Sequence, residues 1–275
     1  MNNGIQNRIM KGRIVIKLGG SLITNKEIEN TIHRHSIERI GKVISSLIGN
    51  DYSIIIIHGA GSFGHILARK WDIAGGANKE IISIQRKNVE IIRKNMINLN
   101  DEIINIFSKI GINSEGFPPS KWASGTGEFF EGDLSFLSKF PSDNIPILFG
   151  DVINIYDKRE FGILSGDDLM ARVSKEIADV THSIFLIGDA PGVMNKPPYF
   201  KDSKLIPVWN KNTNLELEHK AEIDVTGGME LKLLRASSIS EKVENVWFLD
   251  GREPERILDL LENGKTIGTR IENSE

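Results

Sequence analysis

The chain has 275 residues, a formal net charge of -3 and no cysteine, which rules out disulfides, thiolate metal sites and cysteine nucleophiles and gives no reason to expect nucleic acid or an anionic membrane as partner. Hydrophobic residues at 40% and charged residues at 26% are the balance of an ordinary globular protein. No stretch approaches the roughly eighteen apolar residues of a membrane span, and residues 1–13 lack the apolar region of a secretory leader, so the expected location is the cytoplasm.

Ile14 to Leu18 reads as a short strand interrupted by Lys17 and followed by Gly19, Gly20 and Ser21. A lysine inside such a strand is costly unless its ammonium finds an anion. The adjacent Gly-Gly-Ser turn supplies backbone N–H donors beside that cation, a combination suited to phosphate. Lys26 follows in a polar loop, within reach of the same anion. A helical period runs from Ile32 to Leu47, with Ile37, Ile40, Val43, Ile44 and Leu47 on one face. Ile54 to Ile57 is then a run of isoleucines, the pattern of a parallel strand buried on both faces. It stops at His58, and H-G-A-G-S-F-G-H continues to His65. Gly59, Gly61 and Gly64 allow a sharp turn and close approach of a ligand, and a helix is expected over Ile66 to Trp71. Strand, glycine turn and helix N-terminus make an anion site, with His58 and His65 bracketing it. The spacing also matches G-x-G-x-x-G, but a dinucleotide fold needs an acidic residue at the end of the next strand, about twenty residues on. Residues 74–88 are polar and helical in pattern, so the loop is read as a phosphate cradle. A right-handed crossover places both glycine loops at the carboxyl edge of one sheet.

From Lys79 to Ile110 the apolar positions keep a helical period, mostly for core packing, with some expected to wall an apolar pocket beside the His58 to His65 loop. Gly111 caps this helix, and Ile112 to Glu128 reads as loop. Ile145 to Phe149 is another buried strand, ending in Gly150 and Asp151, and a hairpin is expected around Asp157 to Glu160. Ser165 has the character of a helix N-cap, with Asp167 and Asp168 in the first turn. Capping accounts for one aspartate; two beside several lysines suggest a second task, holding ammonium groups or water on a metal ion. Ile184 to Ile187 makes the next strand, leading to Gly188, Asp189, Ala190, Pro191, Gly192 and Val193. Residues 195–222 are polar and irregular, as in a flap over a ligand. Thr226, Gly227, Gly228 and Met229 then enter a helix carrying Lys232, before a strand at Val246 to Leu249 and a helix at Pro254 to Leu261.

Glycine turns at the ends of buried strands, with Lys17, Lys26 and Lys232 about them, fit phosphoryl transfer, which needs donor and acceptor in line and positive charge on the moving group. There is no G-x-x-x-x-G-K-[ST] and no protein-kinase signature. The order K-L-G-G-S (17–21), H-G-A-G-S-F-G-H (58–65), S-G-D-D-x-x-A (165–171), G-D-A-P-G-V (188–193) and T-G-G-M-x-x-K (226–232) resembles the amino acid kinase superfamily over nearly the whole chain. Within it, the histidine at the end of the second motif is most like the isopentenyl phosphate kinases.

The resemblance implies a three-layer αβα sandwich with a mostly parallel central sheet. It implies one domain in which residues 1–160 bind the acceptor and residues 161–275 bind ATP with Mg2+, in a homodimer. It further implies phosphorylation of isopentenyl phosphate to the diphosphate, in an alternative mevalonate route of isoprenoid biosynthesis. Lys17 and Lys232 would stabilise the γ-phosphoryl, with Lys26 assisting. Leu18, Gly19, Gly20, Ser21 and Gly61 would contact ATP or the transferring group, Asp189, Gly192 and Val193 the adenosine, and Gly228 its phosphates. His65 would hold the acceptor phosphate with Ala60, Gly61, Gly64 and Gly150, and His58 would tie the loop to neighbouring backbone. Asp168 would orient the lysines, with Asp167 close enough to compete. No residue set for a protein-held metal is expected. Fosfomycin kinases share much of the loop motif, which leaves a kinase of another small phosphate or phosphonate as the alternative within catalysis. A ligand-sensing domain of the same fold is the alternative outside it, opposed by the presence of Lys17, Asp168 and Lys232.

Overall fold

The computed structural model describes residues 10–25, 27–213 and 228–273. In chain order the elements are β1 (Gly12–Leu18), α1 (Gly20–Ile23), α2 (Arg34–Gly49), β2 (Tyr52–His58), α3 (Gly61–Lys70), α4 (Ile82–Lys109), β3 (Asn113–Gly116), α5 (Ser135–Ser138) and β4 (Asn144–Phe149). They continue with β5 (Asp151–Asn154), β6 (Phe161–Leu164), α6 (Gly166–Glu176), β7 (Val180–Ile187), β8 (Val208–Trp209), α7 (Gly228–Ser240), β9 (Asn245–Asp250), α8 (Arg256–Asn263) and β10 (Thr269–Ile271).

The central sheet runs β3-β4-β2-β1-β7-β9-β10-β8. It is parallel from β3 through β9, and β10 joins antiparallel to β9. Consecutive side chains of a strand leave on opposite faces, and here both faces are covered. Ile14, Ile16, Leu18, Ile54 and Ile56 pack with α2, α3, α4 and α8 on one side, while Val15, Ile55, Ile57 and Phe185 pack with α6 and α7 on the other. This is why four isoleucines follow one another without a polar alternate, and it makes the fold the expected αβα sandwich. Lys17 shares the face of Val15, so it points toward α6.

The hairpin expected around Asp157 to Glu160 is present as β5 paired antiparallel with β6. Ser165 caps α6, its side chain accepting the Asp168 N–H. Three local readings differ. The helix after the second glycine turn starts at Gly61 rather than Ile66, so Gly61, Gly64 and His65 belong to its first turns. β3 lies in the stretch read as loop; its alternately exposed edge position needs no apolar run, which removes the sequence signal. β8 and β10 are shorter still and equally invisible to periodicity. The polar stretch 195–222 contains β8 and a bridge from Met194 to Leu205, and its residues 214–222 lie outside the described residues. No helix among the described residues is long and apolar enough to cross a membrane.

Candidate active site

The carboxyl ends of β1, β2, β4 and β7 meet around a cleft of about 570 Å³. Lys17 comes from the end of β1 and is only 5% exposed. Its ammonium donates to Asp167 Oδ1 and lies 5.9 Å from the centre of the Phe185 ring. Lys232, one turn beyond the start of α7, places Nζ 3.7 Å from the other oxygen of the same carboxylate and donates to the Gly228 carbonyl at 3.1 Å. One buried carboxylate thus gathers two lysines that are 215 residues apart in sequence (232 minus 17).

Asp168 does something else. Its Oδ2 accepts the Ser165 hydroxyl at 2.8 Å, and its Oδ1 accepts Arg235 Nε at 2.7 Å. Arg235 also meets Glu128 at 3.2 Å. The expectation that Asp168 orients the lysines is therefore corrected: Asp167 touches them, and Asp168 reaches α7 through Arg235, one turn after Lys232. The reason is the helical step. Neighbouring residues of an α-helix point about 100° apart, so only one of two adjacent aspartates can face the cleft.

The two glycine turns interlock. A Cβ on Gly20 would stand 2.6 Å from the Gly61 nitrogen, so the backbones touch where any side chain would separate them. Gly61 has φ +48°, a conformation suited to glycine, and a Cβ there would collide with the Thr24 hydroxyl at 2.0 Å. Beyond this junction His65, half-buried on α3, lines the cleft, with Ile66 and Arg69 on the same helix. Ile92 and Met96 of α4 and Val152 and Ile163 of the β5–β6 hairpin give that arm an apolar wall. His58 stays outside the cleft. Fully buried, it has Nδ1 3.0 Å from the Gly59 carbonyl, stacks on Phe149 at 5.0 Å, and loses its charge readily, burial lowering its pKa to about 4.

The structure brings Lys17, Gly19, Gly20, Ser21, Ala60, Gly61, Gly64, His65, Gly150, Asp189, Gly192, Gly228 and Lys232 to the cleft lining. Leu18 and Val193 are not among the lining residues. The Leu18 side chain is in the core on the far face, and its carbonyl accepts the Gly59 N–H at 2.9 Å. Val193 is also in the core, and its N–H donates to Thr269 Oγ1 at 2.8 Å while its carbonyl accepts the Ile206 N–H. In both, backbone hydrogen bonds hold neighbouring turns in place. Lys26, Thr226 and Gly227 lie outside the described residues. Sequence reasoning passed over Gly166 and left Asp151 without a role. Asp151 is buried at the cleft, accepting the N–H groups of Ser120 at 3.1 Å and Val152 at 2.8 Å, and burial raises its pKa against those bonds. The Gly-Asp pair after a buried strand was its available signal.

Comparison with known proteins extends these features. The chain is 30% identical over 265 residues to the isopentenyl phosphate kinase of Methanothermobacter thermautotrophicus, covering 94% of this chain and 98% of that one. It is 31% identical over 262 residues to the isopentenyl phosphate kinase of Thermoplasma acidophilum, covering 94% and 99%. A crystal structure of an isopentenyl phosphate kinase substrate complex superposes with a TM-score of 0.78 at 27% identity, covering 94% of this chain and 99% of that one. Residues 12–250, which include every glycine turn of the cleft, match the model of the amino acid kinase family, and the chain belongs to that family.

Proposed function

We propose that this chain transfers the γ-phosphoryl group of ATP to isopentenyl phosphate, giving isopentenyl diphosphate. The observation that carries the reading is one cleft in which Lys17 and Lys232 converge on Asp167 next to a histidine and an apolar arm. The substrate comes from the curated relatives, which are isopentenyl phosphate kinases matched over nearly their whole length.

The chemistry needs no general base. A phosphate monoester already carries the nucleophilic oxygen, so the task is to bring two polyanions together and to stabilise the charge on the group passing between them. Lys17 and Lys232 supply that charge from a site shielded from water, where it acts more strongly than at the surface. Asp167 holds the two ammonium groups together, and its carboxylate keeps the nearly buried Lys17 compensated. The turn at Gly19, Gly20 and Ser21 takes the nucleotide phosphates, Asp189, Gly192 and Gly228 border the nucleotide, and His65 with Ala60, Gly61, Gly64 and Gly150 takes the acceptor phosphate. Most of the acceptor site then belongs to residues 1–160 and most of the nucleotide site to residues 161–275, with the Gly19 to Ser21 turn and Lys26 of the first half assisting at the nucleotide phosphates.

Magnesium is usually held by one or two carboxylates together with substrate phosphates. Among the described residues there is no group of three or more histidines and carboxylates that would cage a metal ion, and Asp167 and Asp189 line the cleft. Those two carboxylates fit an ion that arrives with the nucleotide, and such an ion would add positive charge on the phosphates. A homodimer, expected from the resemblance, and a cytoplasmic location, expected from the sequence pattern, belong to the same proposal and are open to analytical ultracentrifugation and cell fractionation.

The test is ADP release with ATP and magnesium, with isopentenyl phosphate, dimethylallyl phosphate, fosfomycin, acetylglutamate and UMP supplied singly. Turnover is expected to be strongest with isopentenyl phosphate, and His65→Ala is expected to lower kcat/KM for it about a hundredfold. Preference for another acceptor would move the specificity, and no turnover with any acceptor despite ATP binding would turn the reading toward a ligand sensor.

A further inference from the structure

The in-line geometry demands that the nucleotide loop and the acceptor loop keep a fixed separation, and one buried hydroxyl joins them. Thr24, at the end of α1, has no exposed surface. Its Oγ1 donates to the Gly20 carbonyl at 2.8 Å, and its backbone N–H donates to the same carbonyl at 2.9 Å. The same Oγ1 accepts the Ser62 N–H at 3.0 Å. Gly20 belongs to the first glycine turn and Ser62 to the opening turn of α3, so a single oxygen bonds both phosphate-binding loops. Gly61 fits over it because it has no side chain: a Cβ there would lie 2.0 Å from Thr24 Oγ1 and 2.9 Å from the Gly20 carbonyl.

We propose that Thr24 is a positioning residue that holds the donor and acceptor loops at the separation phosphoryl transfer requires. The inference rests on the kinase reading above. Two bound polyanions repel, and the repulsion pushes the loops apart only when both sites are filled. The tether therefore carries its load in the ternary complex. It also occupies the Ser62 N–H, which removes that donor from the anion cradle at the α3 N-terminus and leaves the remaining groups of the loop to the ligand. Threonine serves where valine, of the same shape, cannot, because the joint needs one atom that both donates and accepts.

Thr24→Val keeps the shape and removes the joint. The expected result is a folded protein that binds a non-hydrolysable ATP analogue and isopentenyl phosphate, each alone, within about twofold of wild type, with kcat lower by about tenfold or more. Thr24→Ser, which keeps the hydroxyl, is expected to recover most of that loss. A Thr24→Val kcat within about twofold of wild type, an equal loss in Thr24→Ser, or a kcat loss matched by weaker binding of each ligand alone would overturn the proposal. Hydrogen exchange of the Ser62 amide in the wild-type protein gives a check that needs no variant: strong protection is expected, and exchange at the solvent rate overturns it. Wild-type turnover with isopentenyl phosphate is the control, since its absence would sink the kinase reading while the amide exchange still decides the joint.

Discussion

The phosphoryl end of the cleft and its apolar arm are built in opposite ways. At the phosphoryl end the backbone does the positioning. Gly20 packs directly on Gly61, Thr24 joins both turns, and the lysines are set against one carboxylate. The arm is assembled from side chains of three separate segments, Ile66 on α3, Ile92 and Met96 on α4, and Val152 and Ile163 on the β5–β6 hairpin. The first construction tolerates almost no change, because a glycine Cβ would meet backbone. The second is a packed apolar surface, where volume can be exchanged at moderate cost. The difference separates chemistry, which is invariant for a phosphoryl transfer, from acceptor choice, which depends on shape.

The largest test of this contrast is at the lysines. Lys17→Met and Lys232→Met are each expected to lower kcat by about a hundredfold or more while single-ligand binding and the folded state persist, as read by steady-state kinetics, calorimetry and circular dichroism. Near-wild-type turnover in either would break the assignment of the charged end. A smaller effect is expected in the arm. Met96→Ala enlarges it, and the KM for isopentenyl phosphate should rise about tenfold with kcat within about threefold, the pattern of lost ground-state binding. A kcat collapse there would mean that the arm also sets the in-line geometry.

The smallest effect is one of stability and belongs to His58, the histidine of the loop that does not reach the cleft. Its pKa of about 4 in the folded protein lies below the ordinary histidine value. Between pH 6.5 and 4 the unfolded chain therefore binds a proton that the folded chain refuses. The contribution is fully present above pH 6.5 and is lost as pH falls, by up to about 3 kcal/mol. Wild-type melting temperature should drop about 5 °C more than that of His58→Gln over this range; equal slopes would show that His58 is not the group responsible.

The sequence alone determined the parallel core and marked the glycine turns and the two lysines, Lys17 and Lys232, that line the cleft. Runs such as Ile54 to Ile57 admit no exposed face, glycine after a buried strand marks a close approach, and Lys17 inside an apolar strand requires an anion. Those signals are local, so they survive without coordinates. What tertiary structure decided is whatever depends on rotation about an element or on distant packing. A step of about 100° along α6 sends Asp167 to the lysines and Asp168 to Arg235. Strand alternation puts Lys17 toward α6 and hides Leu18 on the other face, and Thr269 on β10 takes the N–H of Val193. The short strands β3 and β8 at the sheet edges, and β10 beside β8, have too few apolar residues to announce themselves. The acceptor arm draws on residues from 66 to 163, and only the folding of α4 beside α3 and the hairpin brings them to one wall.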